Sequence, residues 1–312
     1  MKDRPQDLDE HDLRPVLSEW GIQPAALDYA PVGFGDYHWI ATDTDGRRWF
    51  VTAADLRLKE QDGEAALRRA MDTADALREL DFVVAPVRTA HDETVRLVGA
   101  RYAVSVFPYL DGVSGFFGQE LTPAHRGQVV DLLARLHGAA PPARCPVLRP
   151  EPALRALLEQ AIEESDQSWE AGVFARAAGA LVAGHAAGLR RRLAEFDHLA
   201  RKVDRSELVV THGEPHPGNL MWSGDRCLLV DWDTVGLAPP ERDLWMFAED
   251  LARYEDTSGR RPQQAALAFY RLRWALNDVA IFVDQFRRSH ERTPDTEQAW
   301  AAFAGTVEEL TA

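Results

Sequence analysis

The sequence predicts an α+β fold, with a sheet-rich stretch ahead of a longer helical one. Three observations lead there. Aromatic and β-branched runs surround a hairpin signal at Asp43-Thr44-Asp45-Gly46. The chain changes texture at Pro108-Tyr109-Leu110-Asp111-Gly112. Beyond that point the apolar residues recur at helical spacing. A sheet lobe followed by a helical lobe places the expected ligand in the crevice between them.

The elements follow in order. Asp7–Trp20 has Leu13, Val16, Leu17 and Trp20 on one helical face, and Gly21 stops it. Strand character begins at Leu27–Val32, leads through Gly33-Phe34-Gly35-Asp36, and resumes at Tyr37–Thr42 and Arg48–Ala53. Lys59–Leu80, rich in Ala, Leu, Arg and Glu, predicts a long helix. Val83–Val87, Val95–Gly99 and Tyr102–Phe107 return to strand texture. Pro123–His137 is helical and ends at Pro141-Pro142. Further helices are expected at Glu151–Glu164, Val173–Val203, Glu241–Ala252, Gln263–Phe286 and Asp295–Leu310. One β-like island interrupts them: Leu208–Thr211, Asn219–Trp222 and Arg226–Val230. The domain reading is an N-terminal lobe at 1–107 and a C-terminal lobe at 108–312.

The formal net charge is −15. That argues against nucleic acid as a partner, because phosphate backbones require clustered Lys and Arg. The same charge would attract a cationic ligand or simply keep the chain soluble, and both readings stay open. The two cysteines, Cys145 and Cys227, have neither metal-ligand spacing nor a disulfide pattern. The polar start Met1-Lys2-Asp3-Arg4-Pro5 lacks a signal-peptide core, and no apolar run approaches a membrane span. A cytoplasmic location is expected.

The island carries the chemistry. His212, Glu214 and Asn219 sit where Pro215, Pro217 and Gly218 oppose a regular helix, and Asp231 ends the following hairpin. Phosphoryl transfer uses such parts: a carboxylate near an acceptor hydroxyl, and an amide oxygen with a second carboxylate for Mg²⁺. A polar turn with incidental acids is the plainer reading. A zinc pair from His212 and His216 would need the helix that Pro215 and Pro217 deny. His137 reads as a helix-end packing residue, and Asp233 as a supporting acid or a hairpin charge.

His212-Gly213-Glu214, with Asn219 five residues on, and then Val230-Asp231-Trp232-Asp233 resemble the catalytic and metal-binding segments of the aminoglycoside phosphotransferase family. The sheet lobe, Leu133-Ala134-Arg135-Leu136-His137 and Leu237–Asp243 fall in the matching order. The resemblance implies a bilobal protein-kinase-like fold, ATP or GTP as donor, Mg²⁺, and a small-molecule acceptor. It also implies Glu214 as catalytic base, His212 as a brace of the loop, Asn219 and Asp231 as metal ligands, and Asp243 as an anchor. It leaves open a metabolic kinase of choline or sugar type and a nucleotide-binding pseudokinase.

Two departures stand out. Glu214 occupies the base position where the family has Asp, so the carboxylate reaches one methylene further. The strand Trp49–Ala54 presents Thr52 or Ala53 where the family has a phosphate-pairing Lys, and the chain has only Lys2, Lys59 and Lys202. Lys59 is the candidate replacement, with Arg57 behind it and Glu60 or Glu64 as the acid that would orient it. A solvated helix-start charge is the other reading of Lys59. Gly33, Phe34 and Gly35 would cover the phosphates with backbone N–H groups, and Phe107 and Tyr109 would form the hinge against the base. For the acceptor, Trp274, Asp278 and Asp284 combine aromatic and acidic surface suited to a cation. The alternative there is an ordinary amphipathic helix.

Overall fold

The computed structural model describes residues 1–59 and 63–312 and forms two compact units. One comprises Met1–Leu148 with Glu207–Arg261, the other Arg149–Ser206 with Pro262–Ala312. This division differs in kind from the lobe boundary at residue 108: the sheet and the β-like island share the first unit.

The first unit is built on a five-stranded antiparallel sheet. Its strands are β1 (Pro24–Ala30), β2 (Tyr37–Asp43), β3 (Arg48–Asp55), β4 (Arg96–Val98) and β5 (Tyr102–Pro108), in the order β1-β2-β3-β5-β4. The Asp-Gly hairpin forms as expected, with Gly46 at φ 78°. Period-two alternation gives the sheet two different faces. Trp39, Ala41, Val51, Ala53, Val104 and Val106 form one buried face, together with Leu13 and Leu17 of α1 (Glu10–Leu17). His38, Thr52 and Ser105 are cross-strand partners on the other face.

Among the described residues the long helix runs as α2 over Gly63–Ala76, ending short of the expected Leu80. The candidate Glu60 lies outside the described residues. Val83–Val87 is not a strand. Val83 makes a single bridge to Leu229, and Val87 N donates to Val106 O at 2.7 Å, so the segment is tied down at isolated points. α3 spans Pro123–His137, capped by Thr122, whose side chain accepts from His125 N.

The second unit packs four helices: α4 (Arg155–Glu163), α5 (Ala175–Ala200), α8 (Gln264–Arg287) and α9 (Pro294–Thr311). At Gly188 α5 packs closely on α9, because a Cβ there would sit 2.7 Å from Thr311. Phe174, Phe286, Trp300 and Phe303 form a ring cluster in the same unit. No helix among the described residues is long and apolar enough to cross a membrane.

Trp39 is 1% exposed and meets Tyr29 edge-on at 5.3 Å. Trp39→Ala should therefore cost about 3–5 kcal/mol in urea unfolding, the usual range for emptying an aromatic core site. Trp39→Phe should cost less, since the indole N–H it removes has no partner among the described residues.

Candidate active site

The site is assembled from short strands that leave the chain irregular between them. β7 (Val209–Thr211) pairs with β10 (Gly236–Ala238), a strand the sequence pattern had not marked. β8 (Leu220–Ser223) and β9 (Arg226–Leu229) form the hairpin, and β6 (Val113–Ser114), also unmarked, pairs with β8. Between β7 and β8 lies the loop 212–219, ending in one turn of 3-10 helix at Pro217–Asn219. Gly213 adopts φ 103°, and a Cβ there would strike the Arg242 guanidinium at 2.1 Å. Only glycine fits that backbone and that contact.

The loop hangs from one carboxylate. Asp243 lies in the short α6 (Glu241–Leu244) and is fully buried. His212 N donates to its Oδ2 at 2.8 Å and Gly213 N to its Oδ1 at 2.6 Å. His137 Nε2 joins the same Oδ2 at 3.1 Å, while Tyr254 OH lies 2.8 Å from His137 Nδ1. His137 is thus more than a packing residue: it links α3 to the anchor. Burial pushes the Asp243 carboxyl up, but the hydrogen bond and charge of His137, with Arg242 and His212, more than offset this and leave it lowered.

His212 serves as a brace. Nε2 donates to Val230 O at 2.9 Å, and Nδ1 accepts from Glu214 N at 3.3 Å. Both ring nitrogens are therefore used, which leaves none for zinc. Burial lowers its pKa and keeps the ring neutral, as those two bonds require. His216 is held neutral as well, its pKa pushed down to about 4 by burial, and Nδ1 accepts from Gly218 N at 3.1 Å.

Glu214, Asn219 and Asp231 follow from this frame. Asn219 is buried, and its Nδ2 donates to Glu214 O at 3.0 Å. Val230 N donates to Asn219 O at 3.1 Å, setting Asp231 just past the hairpin at φ 64°. The Asp231 side chain is solvent-exposed. Its carboxyl is nevertheless pushed well above the usual range, first by the protein packed around it and then by Asp233, Asp36 and Glu214. A clustering of like charges is what a cation-binding position requires. Among the described residues, no group of three or more His, Cys, Asp or Glu is arranged to hold a metal ion.

The glycine turn and Lys59 reach the same place. Lys59 Nζ lies 3.1 Å from Asp233 Oδ2 and 3.2 Å from Asp36 Oδ1. Asp36 closes the Gly33-Phe34-Gly35-Asp36 turn, where the sequence assigned it no role of its own. Phe34 in the same turn is half-exposed. Glu64 pairs instead with Arg68 at 3.2 Å, and Arg57 with Asp55 at 3.5 Å. At the end of β5, Phe107 pairs with Phe50 across the sheet, and Arg48 stacks over the Tyr109 ring at 3.9 Å. Trp274, Asp278 and Asp284 are half-buried on α8 of the other unit, where Asp284 pairs with Arg288 at 2.7 Å.

A braced loop with a carboxylate and an amide, and a second carboxylate past the next hairpin, are the kinds of parts that phosphoryl transfer uses. A model of the phosphotransferase enzyme family matches residues 31–303, and the chain belongs to that family. Protein StrN of Streptomyces griseus is 31% identical over 235 residues, 70% of this chain and 69% of that protein. A spectinomycin phosphotransferase solved with ADP and spectinomycin superposes at TM-score 0.77 and 16% identity, covering 98% of this chain and 99% of its own. An amicoumacin kinase solved with AMP-PNP and Ca²⁺ gives 0.61 and 14%, covering 97% and 93%. The kinase-like fold is shared throughout.

Asp243→Asn should lower stability by about 2–4 kcal/mol, since a buried charge that accepts three hydrogen bonds is lost. The pH sign follows from the lowered pKa. The wild type holds the contribution of Asp243 above the ordinary carboxylate value near 3.8 and loses it as pH falls through the lowered one. Urea midpoints taken from pH 7 downward should therefore fall less steeply in the variant.

Proposed function

We propose that this chain transfers the γ-phosphate of ATP or GTP to a hydroxyl of a small cationic acceptor of aminoglycoside or aminocyclitol type. The observation that carries this reading is the frame that sets Glu214 and Asn219 on a loop held by Asp243, with Asp231 at the exit of the hairpin that follows. Glu214 takes the base position, with a carboxylate available to accept the hydroxyl proton. The Gly33–Gly35 turn covers the phosphates, and Phe107 and Tyr109 contact the base. On this reading residues 1–107 act as the nucleotide-binding lobe and 108–312 as the catalytic and acceptor-binding lobe.

The residues fit Mg²⁺ that arrives with the nucleotide. Asp231 supplies an exposed carboxylate and Asn219 an amide oxygen, and Mg²⁺ commonly takes one or two carboxylates and completes its shell with phosphate and water. Such an ion would neutralise charge on the transferring group. Asp231 and Asn219 would hold it, His212 keeps Asp231 in register through Val230 O and accepts from Glu214 N, and Asp243 holds the loop at His212 and Gly213.

The net charge of −15 would draw a cationic acceptor toward the protein. Trp274, Asp278 and Asp284 are proposed to contact it by stacking and charge. The aminocyclitol reading is supported by the spectinomycin phosphotransferase and its bound ligand. A smaller amino alcohol is the second reading, favoured by the likeness to an aminopropanol kinase at TM-score 0.63 and 15% identity. We assign the activity to the cytoplasm, where nucleoside triphosphates are made.

Radiolabelled phosphate from ATP and from GTP, offered to aminocyclitols, aminoglycosides, amino alcohols and sugars, tests the reading. Transfer to an aminated polyol is expected, and no transfer to any acceptor would refute it. Asp231→Ala should reduce transfer by at least about 100-fold with little change in thermal midpoint. Full activity in that variant would remove Asp231 from the metal site.

A further inference from the structure

The strand position that should bear a phosphate-pairing cation is occupied by something incapable of the task. Thr52 lies on the sheet face opposite the core, and its Oγ1 is 3.2 Å from His38 Nδ1. His38 cannot supply the missing charge. Burial, together with nearby positive charge including Lys59, pushes its pKa down to about 3 and leaves it neutral. Arg57 is 60% exposed and paired with Asp55.

Lys59 is differently placed. It leaves the connection between β3 and α2, and its ammonium lies between Asp36 of the glycine turn and Asp233 of the segment that carries Asp231. The backbone there is shaped for it, because a Cβ on Gly63 would sit 2.6 Å from Lys59 Cβ. Burial works against the charge on Lys59, but Asp233 and Asp36 outweigh it and keep the group protonated. The helix acid that might have oriented a strand lysine, Glu64, is engaged with Arg68.

We propose that Lys59 binds the donor phosphates in place of the absent strand lysine, and that Asp36, two residues past the turn's Phe34, is its positioning acid. The inference rests on the kinase reading above and deepens it. It moves both members of the ion pair off the strand and helix and onto two connections. The consequence is a direct link between the turn over the phosphates and the cation that pairs with them. A nucleotide that orders one orders the other, because Asp36 belongs to the first and holds the second.

The test uses the full chain and two readouts. Direct calorimetric titration with ADP should show affinity falling at least about tenfold in Lys59→Ala, with transfer falling on the order of 100-fold. Thr52→Lys in the Lys59→Ala background should restore a large part of both, since the side chain would enter from the neighbouring strand position. Asp36→Asn should lower kcat more than it raises the nucleotide KM, and Asp36→Glu should recover part of the loss. Circular dichroism and thermal midpoints show whether each variant is folded. Unchanged ADP affinity in a folded Lys59→Ala, or failure of Thr52→Lys to recover any binding, overturns the proposal and leaves Lys59 as a structural latch. If the wild type itself binds no nucleotide, the kinase reading fails before this one.

Discussion

The carboxylate of Asp243 is the constraint on which the site depends. It accepts the N–H groups of two consecutive residues, His212 and Gly213, at the point where β7 ends. A loop that contains Pro215 and Pro217 can form few backbone hydrogen bonds of its own. Without an external acceptor its start would carry buried, unsatisfied N–H groups. Asp243 removes that cost and at the same time fixes direction. Once His212 is placed, its two ring nitrogens reach Val230 O and Glu214 N, so one side chain sets both the hairpin's exit and the loop's next residue. His137 and Tyr254 make the brace continuous with α3 and with α7 (Leu251–Ser258).

The charges follow a different logic from the brace. Asp243 is fully buried and satisfied, which makes it a structural charge. Asp36, Asp231 and Asp233 lie close together, and burial first, then the charges of Asp233, Asp36 and Glu214, push the Asp231 carboxyl up. Lys59 offsets part of it. A site of this kind is unfavourable in the absence of a cation and becomes favourable when one arrives, so stability is given up locally for binding. The brace supplies the rigidity that lets such a cluster persist.

What the sequence revealed follows from how local each signal was. The hairpin at Gly46, α3 and the loop motif are set by residues close together in the chain, and their patterns carried through. Short strands did not. β6 and β10 have two and three residues, and each exists because of a partner far away in sequence. Val83–Val87 has strand composition but makes one isolated bridge, Val83 to Leu229. The helix expected over Glu241–Ala252 breaks into α6, a 3-10 segment and α7, with Phe247 off helical geometry at φ −121°, ψ 37°. Within the site, the loop residues were legible, while the pairing of Lys59 with Asp233 spans 174 positions and left no trace in any window. Asp36 could have been noticed, since an acid directly after a glycine-rich turn is unusual company for phosphates.

That last point bears on Glu214. Its backbone is held on both sides, N by His212 Nδ1 and O by Asn219 Nδ2. The extra methylene relative to aspartate therefore cannot be absorbed by moving the loop and must appear as extra reach of the carboxylate. The acceptor hydroxyl would then be met further from the loop than an aspartate would allow. A phosphate-pairing lysine arriving from a connection instead of a strand alters the donor side in a comparable way. Phosphoryl transfer with a loose transition state depends on the line between attacking and leaving oxygens more than on the strength of the base. Two displacements, one on each side of that line, are compatible with catalysis if they offset each other. On this argument Glu214 and Lys59 are better understood as a matched pair than as two separate departures.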